Sequence, residues 1–214
     1  MMDTDTLIRS LSADVPAVPR HAIGRRIALG LGLGAAAALA VIVAWLGFRP
    51  DIGGAMRGYS FWMKWIYTAS LGLIAIVATI RLARPDPAPL RWLWLLAVPV
   101  VLLAIVGIVE MMLAPVDQWL AMWLGHSWKQ CPWIVLRLSV PIFVGLLWSY
   151  RRMAPTRLRA AGAVAGLAAG ACAATLYCLH CPEVSAIFVL TWYTLGIGLA
   201  AAIGALLGPR LLRW

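Results

Sequence analysis

The chain has 214 residues, 63% of them hydrophobic and only 12% charged, with a formal net charge of +10. A soluble domain carries roughly a quarter charged residues, so this composition excludes an ordinary water-soluble fold and implies an integral membrane protein. The positive charge would suit nucleic acid in a soluble chain. Here most basic residues flank apolar stretches, the pattern of membrane topology, and no direct nucleic-acid contact is expected.

Residues 1–26 form the one sizeable polar segment. Asp3, Thr4 and Thr6 supply N-cap and first-turn chemistry. Leu7, Ile8 and Leu11 then share a helical face, with Asp5 and Arg9 spaced for an i,i+4 pair. Pro16 and Pro19 stop the helix by Asp14, and Val15 to Arg26 reads as a basic tether. A helix this short is marginal alone in water. Its apolar stripe expects a cover, and the pattern leaves open whether that is the membrane surface, the rest of the chain or another protein.

Ile27 to Phe48 carries no charge over 22 residues, enough to cross a hydrocarbon core of roughly 30 Å. It starts too late and runs too long for a signal peptide. Five more spans follow: Phe61–Ile80, Trp92–Leu113, Trp133–Tyr150, Ala160–Leu179 and Val184–Leu207. Thirteen of the 18 basic residues then fall on the side of the N-terminus. Arg49, Arg57, Lys64, Lys129 and Arg137 are the five that do not. That bias predicts both termini in the cytoplasm. Twelve Trp suit interfacial belts. The expected fold is all-α integral membrane, a six-transmembrane-helix bundle, with a cytoplasmic segment 1–26 and a membrane domain 27–214.

Gly162, Gly166 and Gly170 recur every four residues in an Ala-rich fifth span, which predicts close backbone packing at the centre of the bundle. Gly204 with Gly208, and Gly30 with Gly34, repeat the spacing in the sixth and first spans. Pro99 and Pro141 lie inside spans and are candidate kinks.

Lys64, Glu110 and Arg137 are charges within spans, all at one level about 5–6 Å below the outer surface. Each would cost about 2.5–3.5 kcal/mol at mid-bilayer. Lys64 is expected to snorkel to the interface, and Glu110 and Arg137 to form an ion pair between neighbouring helices. A small transporter using this pair is one rival function. It would need polar groups deeper in the membrane, and the inner halves of the spans have almost none.

Of the four cysteines, Cys172 reads as a small core residue of the fifth span. Cys178-Leu179-His180-Cys181 is a CxxC, weak as a bare motif because thioredoxin-type chemistry needs a βαβ context. A membrane thiol oxidoreductase built on Cys178, Cys181 and Cys131 is the second rival. Cys131 and Cys181 each precede proline and sit at the outer face, near His126, His180, Glu183 and Asp117. Cys131, Cys181 and His180 could take a soft metal such as zinc or cadmium. The two thiols alone could close a disulfide if their Cα atoms come within roughly 4.4–6.8 Å. Sensing, a structural disulfide and no role all stay open at this point. No other cofactor is implied, and no spacing supports Ser/His/Asp catalysis.

Four stretches resemble one family: Thr4-Asp5-x-Leu7-Ile8-Arg9-x-Leu11-x-x-Asp14, Cys131-Pro132-Trp133, the elbow His180-Cys181-Pro182-Glu183, and Phe188-Val189-Leu190-x-Trp192-Tyr193-x-Leu195-Gly196. This pattern resembles the NrsF-type anti-sigma factors, six-span proteins of the bacterial inner membrane, over essentially the whole chain. The resemblance implies a regulator and not an enzyme. It implies that an extracytoplasmic-function sigma factor is held at the membrane through Leu7, Ile8, Leu11 and Arg9. It also implies release when Cys131 and Cys181, on the periplasmic side, sense metal or oxidative stress. The segment is short for an anti-sigma domain, so the arginine-rich cytoplasmic loops (Arg81–Arg91, Arg151–Arg159) are expected to share the binding.

Overall fold

In the computed structural model the described residues are 4–13, 22–84, 90–151, 153 and 155–213, and among them all regular structure is helical. Asp3, Asp14, the tether residues Pro16, Pro19 and Arg20, and Arg152 lie outside the described residues. The N-terminal helix runs Thr4–Ala13, where its cap residues and apolar stripe place it.

Six helices are long and apolar enough to cross a membrane: Ala22–Leu46, Tyr59–Leu82, Arg91–Leu113, Cys131–Tyr150, Leu158–Tyr177 and Ala186–Leu211. Each matches an expected span to within a few residues. The first begins at Ala22 rather than Ile27, drawing Arg25 and Arg26 into its opening turns, and the sixth runs on to Leu211. Two spans depart from regular α-helix in a way hydropathy does not foresee. Ile42–Leu46 closes the first span as a π-helical turn, and Val189–Tyr193 is π-helical just inside the sixth.

The fifth span is the centre of the bundle, with 67% of its apolar window buried against 17% in the third. The glycine spacing explains why. A Cβ on Gly162 would fall on the Gly204 carbonyl, one on Gly166 on the Ala200 carbonyl, and one on Gly170 against Ile197. Only a residue without a side chain lets the fifth and sixth backbones approach this closely, which is how helices gain contact where hydrophobic exclusion from water offers little. Gly30 meets the Gly145 carbonyl in the same manner, and Gly34 meets Ile142 beside Pro141, joining the first span to the fourth. Side-chain hydroxyls tie the packed faces. Ser149 donates to the Arg26 carbonyl (3.0 Å), Tyr150 to the Thr79 carbonyl (3.0 Å) and Thr175 to Thr68 Oγ1 (3.0 Å).

The alternating directions of the six helices bring Ala22 of the first and Leu211 of the sixth to one end of the bundle, together with Arg25, Arg26, Arg81, Arg84, Arg151, Arg157, Arg159, Arg210 and Arg213. Among the described residues of the bundle, every carboxylate (Asp51, Glu110, Asp117, Glu183) lies at the opposite end. That end carries the turn from the fifth span to the sixth.

Candidate functional site at the elbow

Residues 178–185 reverse the chain between two buried helices, and the reversal creates a physical problem. The last carbonyls of the fifth span and the first amides of the sixth have no partners within their own helices. Pro182 adds a residue with no amide to donate. Left bare beside hydrocarbon, each such group would cost several kcal/mol.

Neighbouring segments supply the partners. The Arg49 amide donates to the Leu179 carbonyl (3.1 Å), and its guanidinium reaches the Cys181 carbonyl (3.4 Å). Asp51 holds that guanidinium in a bidentate pair, both contacts 2.7 Å. The same bond raises the Arg49 pKa and holds the Asp51 carboxyl below its ordinary value. Lys64, fully buried, donates through Nζ to the carbonyls of Cys181 (3.0 Å) and Glu183 (2.6 Å). His180 Nδ1 meets the Gly47 carbonyl at 2.9 Å. At the start of the sixth span, Glu110 Oε2 accepts the Ala186 amide (2.7 Å), while its Oε1 accepts the Tyr59 hydroxyl (2.9 Å). A carboxylate at a helix N-terminus also meets the favourable end of the helix dipole.

The Glu183 side chain performs the reciprocal service for the loop before the fourth span. Its Oε1 accepts the amides of His126 (2.8 Å) and Ser127 (3.0 Å) and the Ser127 hydroxyl (3.0 Å). Gly125 makes this possible twice over. Its φ of 55° lies in the left-handed region, and a Cβ there would strike the Glu183 carboxylate and the Phe188 ring. Trp192 in turn donates to the Trp123 carbonyl (2.8 Å) and packs against the Trp123 and Trp128 rings. The elbow is therefore the common anchor of both other loops at its end.

Inside this frame lie Cys131, Cys178 and Cys181, all free thiols with no solvent exposure and within electrostatic reach of one another. Burial pushes the Cys178 thiol up to about 12, so it is protonated at neutral pH. The Tyr177 ring lies 5.7 Å from both the Tyr193 and His180 rings. Tyr193 is wholly buried beside the thiols, with its side chain next to Cys178. The chamber is closed to solvent at all three thiols.

Compared with known proteins, residues 11–214 match the sequence model of NrsF, the family described as "Negative regulator of sigma F". The chain belongs to the NrsF family. The "Anti-sigma-F factor NrsF" of Caulobacter vibrioides is 42% identical over 214 residues, covering 100% of both chains. The "Probable anti-sigma-F factor NrsF" of Azospira oryzae is 40% identical, again over 100% of both. No solved structure matches.

In this NrsF chain the structure brings together most of the residues that the sequence singles out, though in different roles. Cys131 and Cys181 do share one chamber, and Cys178 joins them, its thiol donating to the Ala174 carbonyl (3.3 Å). His180 faces Gly47, and His126 is exposed, its backbone alone reaching Glu183. Among the described residues no three His, Cys, Asp or Glu side chains converge as a metal-holding group. Two expectations are corrected. Lys64 does not snorkel, because the elbow carbonyls offer it partners deep in the protein. Glu110 and Arg137 form no ion pair, since both Glu110 oxygens are taken by Tyr59 and Ala186 while Arg137 lies on an exposed face of the fourth span. Sequence reasoning missed Arg49, Tyr59 and Ser127 as elbow partners. The one available signal was depth: Lys64 and Glu110 lie at the level of the turn.

Proposed function

We propose that this chain is an anti-sigma factor of the bacterial inner membrane, with both termini in the cytoplasm. It holds an extracytoplasmic-function sigma factor through its N-terminal helix and releases it when the elbow on the periplasmic side is disturbed. The arginine bias toward the end that carries Ala22 and Leu211 supports the orientation. The observation that carries the binding role is the uncovered apolar face of Thr4–Ala13, on which Leu7, Ile8 and Leu11 are 41%, 58% and 67% exposed. Arg9 borders that face. A helix of ten residues gains little stability alone, so a protein that covers the stripe orders it on binding and lets it go after a modest change.

The signal enters, on this reading, at Cys131 and Cys181. A peroxide-class oxidant can take two electrons from the two thiols, joining them as a disulfide and being reduced to water. A soft divalent metal ion such as zinc or cadmium can instead displace their protons and bind both sulfurs, with His180, His126 and Glu183 available if the turn rearranges. Either event inserts strain or charge into a closed chamber whose walls anchor two loops. Moving a switch from about 1:99 to 99:1 takes roughly 5.5 kcal/mol of differential stabilisation. The oxidoreductase alternative rests on a CxxC that has no βαβ context among the described residues, where all regular structure is helical. The transporter alternative loses its ion pair.

Co-purification from solubilised membranes tests the reading. The intact chain should bring down a sigma factor, and a chain lacking residues 1–22 should not. Cys131→Ser or Cys181→Ser should retain the partner but lose its release by oxidant or cadmium, whereas Cys178→Ser should respond normally. Equal capture by the truncated chain would overturn the binding role.

A further inference from the structure

We propose that Arg159, Arg210 and Arg213 form a binding site for the phosphate-bearing headgroup of an anionic phospholipid. These three residues, with Leu206 and Pro209, line a recess of about 560 Å³ at the end of the bundle opposite the elbow. Arg159 comes from the first turn of the fifth span and Arg210 from the last turn of the sixth; Arg213 lies just beyond.

The backbone forces these like charges together. A Cβ on Gly208 would fall on the Leu158 carbonyl, and one on Gly162 would strike both Gly204 and Gly208. The two helices are thus in contact at the residues that bracket the recess, and the arginines cannot separate by a shift of one helix against the other. Among the described residues none of the three has an ion-pair partner, and the described carboxylates of the bundle all lie at the other end. The recess presents three guanidinium forks, the geometry that matches phosphate oxygens in paired hydrogen bonds.

Its position selects a lipid over an acidic protein. Leu206, 63% exposed, lies one helical turn before Arg210 on the sixth span, within the stretch long and apolar enough to cross the membrane. The surface therefore steps from apolar to cationic over about 5 Å, as a phospholipid steps from acyl chain to phosphate. A soluble acidic segment would pair with the arginines and leave Leu206 bare. A lipid covers both.

The test is lipid retention by the full chain, read by native mass spectrometry after equilibration with equal phosphatidylglycerol and phosphatidylcholine. The intact chain should keep phosphatidylglycerol in preference. Arg159→Gln, Arg210→Gln and Arg213→Gln together should weaken that retention roughly 100-fold, at about fivefold per arginine. The same number of charges removed at Arg57, Lys129 and Arg137 should leave it unchanged. Should the triple variant fail to assemble, the single substitutions carry the test at about fivefold each. Equal loss in the control variant would make the effect one of net charge and overturn the site. Displacement of the lipid by millimolar inorganic phosphate would assign the recess to free phosphate instead. If the triple variant keeps its lipid but loses a co-purifying protein, the surface belongs to that partner and the proposal falls.

Discussion

At the elbow end, backbone groups freed by a chain reversal are taken up by Lys64, Arg49 and Glu110, Glu183 in turn takes up amides of the loop before the fourth span, and the thiols have no exposure. At the opposite end Arg159, Arg210 and Arg213 stand exposed around an open recess, and the packing that holds them is bare backbone on bare backbone. The first end is polar, closed and cross-linked by side chains. The second is held by shape and leaves its charges for something outside the chain. A membrane regulator needs both kinds of end: one whose partners are all internal, so that a chemical change there must move neighbouring segments, and one whose partners are external.

The sharpest way to break the comparison is to attack the shape-held end. Gly162→Leu places four carbons where the Gly204 carbonyl lies, and no rotamer removes a Cβ. We expect destabilisation of about 3 kcal/mol or more, read as a large fall in the Tm of the purified protein by tryptophan fluorescence. Gly198→Leu on the same sixth span is the control, because nothing lies within 4 Å of a Cβ there, and it should be close to neutral.

Next comes the clasp at the other end. Lys64→Met keeps the length of the side chain but leaves the Glu183 carbonyl without its Lys64 donor and the Cys181 carbonyl with the longer Arg49 contact alone. The expected cost is about 2 kcal/mol, since an unpaired buried carbonyl loses its solvation without return. The more telling readout is access: Cys181 should become reactive toward a membrane-impermeant maleimide in Lys64→Met while staying protected in the parent chain. Protection unchanged in the variant would mean that the elbow is held by Arg49 and Glu183 without Lys64. Glu110→Gln should be milder, below about 1 kcal/mol, because an amide oxygen still accepts the Ala186 amide and only the charge–dipole part is lost.

These residues also mark how far the sequence could be read. The six spans were legible because hydrocarbon thickness imposes length and forbids charge, and both leave a pattern in one dimension. The Gly162–Gly166–Gly170 seam was legible for the same reason: small residues four apart must share a face. Lys64 was not, because its partners are backbone carbonyls, and a carbonyl has no letter in the sequence. Glu110 and Arg137 show a second limit. Depth along a span can be counted, but which way a side chain points depends on the rotation of each helix in the bundle, and that is fixed by contacts elsewhere. Cys131 and Cys181 are expected at one face of the bundle, but their complete burial is not legible in the sequence, because it depends on how the helix ends and loops of that end pack.

The finest probe is the Arg49–Asp51 pair, which belongs to the cross-linked end but lies at its wet edge. Asp51 is largely exposed while Arg49 is 8% exposed, so solvent screens the attraction and the pair contributes little by itself. Its sign is still fixed. The hydrogen bond from Arg49 holds the Asp51 carboxyl below its ordinary value of 3.8, so the folded state favours the ionised form. The contribution is therefore complete above the unfolded value and disappears as pH falls through the folded one. Asp51→Asn should lower Tm slightly at pH 7, by an amount that stays constant down to about pH 5 and shrinks only as pH falls below the unfolded value and through the lower folded one. A Tm difference that changes between pH 7 and pH 5 would place another titrating group in charge of the Gly47–Asp51 turn.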